Sequence, residues 1–301
     1  MSGCSRAAQN DPRPLSSAPT FDADRAFDLL KKQVELGPRV PGTPGHGDCA
    51  RLIVDSLKPY ADRVIEQEFS RDVRGKTLKM RNIIAHFNPT ARDWVLLAAH
   101  WDTRPTADLE VSAEDRDRPI PGANDGASGV AVLLELARLF AQRSPEVGVL
   151  MVFFDGEDYG PTVDDMLMGS RYFARNLEQS LSVAGRRVPV RYGILLDMVG
   201  DSDLKIYKEG NSVQAAPEVV EKVWSMAERM GYGRVFVPEV RHTVMDDHVP
   251  LIEAGIRCID IIDFDYGPWH TLGDTVDRCS ADSLRAVGEV VAAVVYEEKS
   301  R

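Results

Sequence analysis

The chain has 301 residues, 44% of them hydrophobic and 28% charged, which is the composition of an ordinary folded protein with one large domain or two smaller ones. Its 47 acidic residues outnumber its 36 basic residues and give a net charge of −11. No run of Lys or Arg is longer than two, and no stretch of 18 apolar residues occurs. These features argue against a nucleic-acid partner and against a transmembrane segment.

Residues 1–22 are rich in Pro, Ser and Ala and predict a disordered tail. Within them, the stretch Ser2-Gly3-Cys4-Ser5 resembles the end of a bacterial lipoprotein signal, in which the Cys carries the lipid. In that interpretation the tail is a tether, Cys4 is a lipid anchor, and the protein belongs to the bacterial cell envelope or periplasm. The alternative is a cytoplasmic protein whose tail contains one chance Cys, and both interpretations stay open here.

The cysteines do not decide between these compartments. None of the four has the spacing of a CxxC or zinc-ribbon motif. Cys258 and Cys279 form either one disulfide in an oxidising compartment or two buried thiols.

From residue 23 onward, helical and extended patterns alternate along the chain. Helical patterns occupy residues 22–37 and 45–60, and alternating strand patterns occupy residues 63–70 and 81–87. Four nearly continuous apolar runs follow, at residues 93–100, 147–155, 191–200 and 256–263. Further helical patterns occupy residues 126–143, 167–180, 217–231 and 281–300.

Continuous apolar runs of this length are typical of central strands that are buried on both faces. Strands that alternate with helices indicate a parallel sheet between two layers of helices. We therefore predict a single α/β domain over residues 23–301, a three-layer α/β/α sandwich with a mixed, centrally parallel sheet.

Each strand predicted in these apolar runs ends in, or is followed by, side chains that can bind a cation. In chain order these residues are His100 and Asp102, then Asp155, Glu157 and Asp158, then Asp197, and finally His270. Because ligands of open α/β sheets bind beyond the carboxyl ends of the strands, we expect these side chains to meet at one edge. A short acidic cluster is usually a solvated turn. Four consecutive strand ends with such side chains instead favour a functional site.

Asp125 is a further candidate, in the Gly-rich turn PGANDGASG that opens a long helix. Either Asn124 or Asp125 caps that helix, or Asp125 is a ligand aimed from a tight turn. Gly122 and Gly126 allow a close backbone approach. Beside the other strand ends, we favour the ligand.

The candidate groups suit a zinc site. Imidazole and carboxylate groups bind zinc well, and the absence of a thiolate argues against a closed structural site. A catalytic site needs about three protein ligands per ion. It also needs a carboxylate that is free to move protons. Since adjacent residues at a strand end point to different sides, one acid of the Glu157-Asp158 pair can bind the metal while the other faces the substrate.

The remaining histidines are assigned no metal. His46 and His86 are predicted to be structural or surface groups. His242 and His248 flank Asp246 and Asp247 and are expected near the site, but not as ligands.

Seven motifs resemble, in their order, those of the zinc aminopeptidase-like superfamily and, more narrowly, the zinc-dependent glutaminyl-peptide cyclotransferases of animals and bacteria. They are AAHWDTRP, PGANDGASGVAVLLELAR, FFDGEDYG, GSRYFARNL, LLDMVGD, DDHVPLIEAG and WHTLGDT. The resemblance covers residues 23–298. It implies an enzyme that converts the N-terminal Gln of a peptide or protein to pyroglutamate and releases ammonia.

The resemblance also implies residue roles. One zinc ion per chain is held by Asp125, Asp158 and His270. Glu157 shuttles a proton from the α-amine of the substrate. The remaining implied residues are Asp197 and Asp246, which form a hydrogen-bonded carboxylate pair beside the metal, and Trp269 and Asp247, which bind the substrate.

The resemblance leaves a zinc aminopeptidase as the alternative. In two-zinc peptidases the equivalents of His100 and Asp197 bind a second ion, Asp125 bridges the two ions, and Glu157 activates a water for peptide hydrolysis. The Trp269-His270 pair, the HWDTRPTAD loop and the Glu-Asp order of the acid pair favour cyclisation. A non-catalytic metal-binding relative is disfavoured because every expected catalytic group is present.

Overall fold

The computed structural model describes residues 18–300. Within them the strands are β1 (Arg63–Val73), β2 (Lys76–Phe87), β3 (Trp94–His100), β4 (Gly148–Phe154), β5 (Ser182–Val183), β6 (Arg186–Arg187), β7 (Val190–Asp197), β8 (Ile206–Lys208), β9 (Phe236–Val240) and β10 (Cys258–Ile262). The α-helices are α1 (Ala23–Glu35), α2 (Pro44–Leu57), α3 (Ala127–Gln142), α4 (Met168–Arg175), α5 (Leu177–Ser180), α6 (Gly210–Ala215), α7 (Pro217–Arg229), α8 (His248–Glu253) and α9 (Ala281–Glu297).

A six-stranded mixed sheet lies at the centre, in the order β1–β2–β4–β3–β7–β10. Strands β4, β3, β7 and β10 are parallel, whereas β2 runs antiparallel to both β1 and β4. The hairpin β1–β2 turns at Arg74 and Gly75, whose φ angles are 51° and 80°. Positive φ at both positions is what a two-residue hairpin turn requires.

Helices cover both faces of this sheet, as β3 shows. Val95 and Leu97 pack into the larger core with α1, α2, α3, α7 and α9. Trp94 and Leu96 point the other way, into a second core with α4, α8 and the hairpin β5–β6. The predicted three-layer α/β/α sandwich with a mixed, centrally parallel sheet is therefore confirmed.

The four apolar runs of the sequence are β3, β4, β7 and β10. The single helix predicted over residues 167–180 is wrong, because the helix breaks at Asn176. This residue has a φ of −115°, and its side-chain amide donates to the carbonyl oxygen of Tyr172 over 2.8 Å. The sequence also missed β5, β6, β8, β9, α6 and α8, which have only two to six residues each and therefore carry little periodicity.

The predicted tail ends too late at residue 22. Phe21 is buried against α9, where its ring fills the space beside Gly288. Asp22 caps α1 by accepting from the backbone N–H of Arg25, and its own N–H donates to Glu135 over 3.0 Å. Both residues therefore belong to the folded domain. Cys4 and the predicted lipid anchor lie outside the described residues.

The disulfide interpretation of Cys258 and Cys279 is wrong. Both are buried free thiols, and they lie in different cores, Cys258 in the second and Cys279 in the larger. No helix within residues 18–300 is long and apolar enough to span a membrane.

The close approach of α3 to β7 can be tested at Gly129. A Cβ added there would lie 2.3 Å from the carbonyl oxygen of Leu196 in β7, so the helix would have to shift. We expect Gly129→Ala to lower the free energy of unfolding by about 1–3 kcal/mol, measured by chemical denaturation.

Gly47 is the matched control, since it also lies in the first turn of a helix. A Cβ added at Gly47 would lie 3.8 Å from the nearest atom, the guanidinium of Arg51. We expect Gly47→Ala to raise the free energy of unfolding by about 0.5–1 kcal/mol. Equal effects of the two substitutions would contradict the proposed tight contact.

Candidate metal centre

The strand order creates a crevice at the carboxyl ends of β3 and β7. From β3 the chain continues into β4 on one side and later returns to β7 on the other, and ligands of open α/β sheets bind at such reversals. His100 ends β3 and Asp197 ends β7, and His100 Nε2 lies 3.1 Å from Asp197 Oδ1. The two strand ends therefore meet in the way the sequence predicts.

Asp125 enters this crevice from the turn before α3. Its backbone N–H donates to Asp274 Oδ2 over 3.1 Å, and that of Asn124 donates to Asp274 Oδ1 over 2.8 Å. Asp125 Oδ1 lies 3.1 Å from His100 Nε2, and Asp125 Oδ2 lies 3.8 Å from His270 Nε2. The helix-cap alternative is wrong, since α3 begins after Gly126 without a side-chain cap.

Gly126 is required at this turn. Its φ is 92°, and an added Cβ would lie 2.8 Å from the carbonyl oxygen of Asp102 and 3.1 Å from the ring of His100. Only a residue without a side chain lets Asp125 approach the end of β3 this closely.

The three acids after β4 are buried, so the solvated-turn alternative is wrong. Asp102 accepts the backbone N–H of Glu157 over 3.0 Å and that of Asp158 over 3.2 Å. Asp158 Oδ1 lies 3.2 Å from His270 Nε2. Glu157 points instead toward the other histidine, with its Oε2 3.8 Å from Nδ1 of His100. The two adjacent acids thus diverge as predicted.

Arg104 and Asp108 support this arrangement and were not among the predicted site residues. Arg104 donates to Asp158 Oδ1 over 2.7 Å and to both carboxylate oxygens of Asp108 over 2.9 and 2.8 Å. Asp108 Oδ1 lies 3.4 Å from Nδ1 of His270. Carboxylates on the far nitrogen of a ligand histidine orient the ring toward the metal. The sequence contained Arg104 within the HWDTRP motif, but this residue belongs to no helical or strand pattern that would have predicted its position.

Two overlapping clusters could hold metal ions. One consists of Asp125, Asp158 and His270, and the other of His100, Asp125 and Asp197; within each, one ligand atom per residue lies within 4.8 Å of the others. Two carboxylate oxygens of these clusters lack a hydrogen-bond partner, namely Asp125 Oδ2 and Asp158 Oδ2. Buried polar atoms normally have partners, so these free oxygens, together with the histidine nitrogens beside them, fit a zinc ion.

The excess of buried carboxylates shifts the pKa of several groups. Burial raises the pKa of Glu157 well above its usual value, and the charge of Asp158 adds to this effect. Burial alone would lower the pKa of His270, but the neighbouring Asp158 and Asp108 raise it to about 9. A bound divalent cation would supply the positive charge that these carboxylates attract, in place of protons.

Asp246, Asp247 and Trp269 lie around this centre. Asp246 and Asp247 are buried in the turn before α8. Burial, followed by the charge of Asp197, raises the pKa of Asp246 to about 6. The ring of Trp269 lies 4.0 Å from that of His270 and 4.9 Å from that of Phe264, measured between centroids. His242 instead pairs with Asp265 outside these clusters.

The chain is similar to known proteins over most of its length. The sequence profile of Peptidase family M28 matches residues 82–295. A glutaminyl-peptide cyclotransferase of Drosophila melanogaster is 25% identical over 284 residues, which span 84% of this chain and 75% of that protein.

Two solved structures are similar over nearly the whole fold. The glutaminyl cyclase of Bacteroides thetaiotaomicron is 41% identical with a TM-score of 0.89, and the match covers 94% of this chain and 100% of that one. A Zn-dependent exopeptidase of Parabacteroides distasonis is 37% identical with the same TM-score and the same coverage. The match to the family profile, the sheet with helices on both sides and the motifs at its strand ends together show that this chain belongs to Peptidase family M28.

Proposed function

We propose that the protein is a zinc-dependent glutaminyl-peptide cyclotransferase, which converts the N-terminal Gln of peptides or proteins to pyroglutamate and releases ammonia. The observation that carries this proposal is the position of Glu157, a buried carboxylate beside the metal cluster but outside it. The 41% identity to a glutaminyl cyclase over 94% of the chain supports it.

Asp125, Asp158 and His270 are proposed to hold one zinc ion. Their unpaired carboxylate oxygens and the orientation of His270 by Asp108 support this assignment. When bound, the zinc ion would act as a Lewis acid that polarises the side-chain carbonyl of the substrate Gln.

Glu157 is proposed to carry the proton. The α-amine nitrogen of the substrate forms a bond to its own side-chain amide carbon, and the bond from that carbon to the amide nitrogen breaks. Glu157 accepts the amine proton and returns it to the departing nitrogen, which leaves as ammonia. Burial raises the pKa of Glu157 well above its usual value, and a raised pKa suits a carboxyl that must both accept and return a proton near neutral pH.

The remaining predicted residues are proposed to form a carboxylate pair beside the metal and to bind the substrate. Asp197 and Asp246 are proposed to form a hydrogen-bonded carboxylate pair beside the metal; burial raises the pKa of both carboxyls, and the charge of Asp197 adds to the shift of Asp246. Trp269 packs between Phe264 and His270 and lines the glutaminyl pocket. Asp247 is proposed to contribute to substrate binding from the same turn as Asp246.

A zinc aminopeptidase is the second candidate, and a specific observation favours it. His100 Nε2 lies 3.1 Å from both Asp125 Oδ1 and Asp197 Oδ1, so Asp125 could bridge two ions. Occupancy of both overlapping clusters would indicate hydrolysis, whereas a single ion across them would indicate cyclisation.

The two candidates are separated by their products. We expect the purified protein to form a pyroglutamyl product from a peptide with an N-terminal Gln. Ammonia should be released with it, because the α-amine replaces the amide nitrogen of the same Gln. We expect no release of amino acids from Leu or Ala anilides, measured side by side. Release of amino acids without ammonia would establish the aminopeptidase instead.

Replacement of Glu157 should separate catalysis from metal binding. We expect Glu157→Gln to lower kcat about 10²- to 10⁴-fold, because Gln cannot carry a proton, while the zinc content of the protein stays unchanged. His270→Ala should instead lower the zinc content, because it removes a ligand. Glu178→Gln, at an exposed position, is the matched control and should change neither quantity. Near-normal turnover in Glu157→Gln would contradict the assignment.

We further propose that Cys4 anchors the protein to the bacterial cell envelope, with a cytoplasmic location as the alternative. The proposal is supported by the Ser2-Gly3-Cys4-Ser5 sequence. Mass spectrometry of the protein isolated from its own cells should find diacylglycerol on Cys4. An unmodified Cys4 thiol would refute the anchor.

A further inference from the structure

A second group of ionisable side chains lies outside the two metal clusters. We call Glu209, Asp246, His248 and Asp260 the inner cluster. Asp260 lies within β10, Asp246 and His248 lie at the start of α8, and Glu209 precedes α6. All four are buried, with at most 3% of any residue exposed. The inner cluster shares no residue with either of the overlapping metal clusters.

Glu209 fixes the orientation of His248. Its carboxylate accepts the backbone N–H groups of Asn211, Ser212 and Val244 over 2.7–3.0 Å. Burial alone would raise the pKa of Glu209, but His248 first and then these hydrogen bonds lower it to about 2. The ionised Glu209 lies 3.1 Å from Nε2 of His248. It therefore accepts the Nε2 proton and leaves Nδ1 free to act as a ligand atom.

Several ligand atoms of the inner cluster receive no hydrogen bond from an N–H or hydroxyl group of the described residues, although Asp246 and Asp260 lie close enough to share a proton. These atoms are Nδ1 of His248, Oδ2 of Asp246 and both carboxylate oxygens of Asp260. Among the described residues, no Lys or Arg forms an ion pair with these three side chains. An ionised carboxylate that is buried without a partner strongly destabilises the folded state. Either a proton shared by the two carboxyls or a bound cation would satisfy these atoms, and only a cation would also use Nδ1 of His248.

The same pattern occurs at the metal centre, where unpaired ligand atoms face one point and a carboxylate supports the far nitrogen of a histidine. In the inner cluster, one ligand atom each from Asp246, His248 and Asp260 lies within 4.8 Å of the others. His248 Nδ1 lies 3.8 Å from Asp260 Oδ2. Ligands of a tetrahedral zinc ion, each about 2.1 Å from it, lie about 3.4 Å apart. A small movement of these side chains toward one another would therefore bring their ligand atoms to the spacing that zinc requires.

We propose that the inner cluster binds a second divalent transition-metal ion through Asp246, His248 and Asp260, with Glu209 orienting His248. One imidazole nitrogen and two carboxylates suit zinc. The ion ties β10 to the start of α8. It thereby holds Asp246 in place beside the metal centre. The proposal does not depend on the reaction that the enzyme catalyses.

Metal counting on single variants tests this proposal. The full-length chain is produced with zinc in the medium, purified without chelator and analysed by inductively coupled plasma mass spectrometry. We expect about two zinc ions per chain, and about one in Asp260→Asn, because a metal site fails when a ligand is removed. His270→Ala should also retain about one ion, and the double variant should lose both. Asp260→Asn should also lower the unfolding temperature.

Asp263→Asn is the matched control. Asp263 is a buried carboxylate directly after β10, but its oxygens accept the backbone N–H groups of Lys205 and Asp265. Its replacement should leave the zinc content unchanged. If Asp260→Asn does not fold, Glu209→Gln takes its place. We expect that variant to retain the fold but bind the second ion about 10- to 100-fold more weakly in competition with a chelator.

Two results would overturn the proposal, and a third would remove one part of it. A proton shared between Asp246 and Asp260 would also satisfy their oxygens, and Asp260→Asn would then keep both the zinc content and the unfolding temperature of the parent chain. A second ion that is lost in His100→Ala but kept in Asp260→Asn would belong to the cluster at His100. An unchanged chelator response in Glu209→Gln would remove the role of Glu209 in the site.

Discussion

The structure depends on the concentration of carboxylates at one buried edge of the central sheet. Charges interact strongly in a low-dielectric interior, and the pKa values of Glu157, Asp197 and Asp246 are raised because their ionised forms are buried together. Arg104 offsets part of this negative charge through its hydrogen bonds with Asp158 and Asp108. Positive charge from bound cations completes the balance in the proposed enzyme, so metal binding and folding of this edge are linked.

A second layer of acids places the reactive groups by accepting their backbone N–H groups. Asp102 accepts the backbone N–H groups of both Glu157 and Asp158 and so fixes the divergence between proton carrier and ligand. Asp274 does the same for the turn that carries Asp125. These acids use their negative charge to hold backbone donors, which is why the ligand carboxylates keep oxygens free of hydrogen bonds.

The sequence directed attention to His100, Asp158 and Asp197 because they lie at or just after the ends of strands that are recognisable from their apolar runs. It did not predict the support from Arg104 and Asp108, because these residues lie in a long connection whose path depends on what it packs against. Asp260 is visible in the sequence as a charged residue within an apolar run that is buried on both faces, which is itself an indication of a special role. Glu209 offered none, since only folding brings the start of α6 beside His248.

The sequence by itself determined the alternation of strands and helices, the sheet type and the set of groups at the strand ends, since these follow from local periodicity and from the parallel direction of the strands. Only the tertiary structure decided which atoms meet. It placed Asp125 between His100 and His270, buried Cys258 and Cys279 apart, and joined Asp260 to α8. These contacts join residues far apart in the chain, and their geometry follows from the packing of helices on the sheet, which no local pattern specifies.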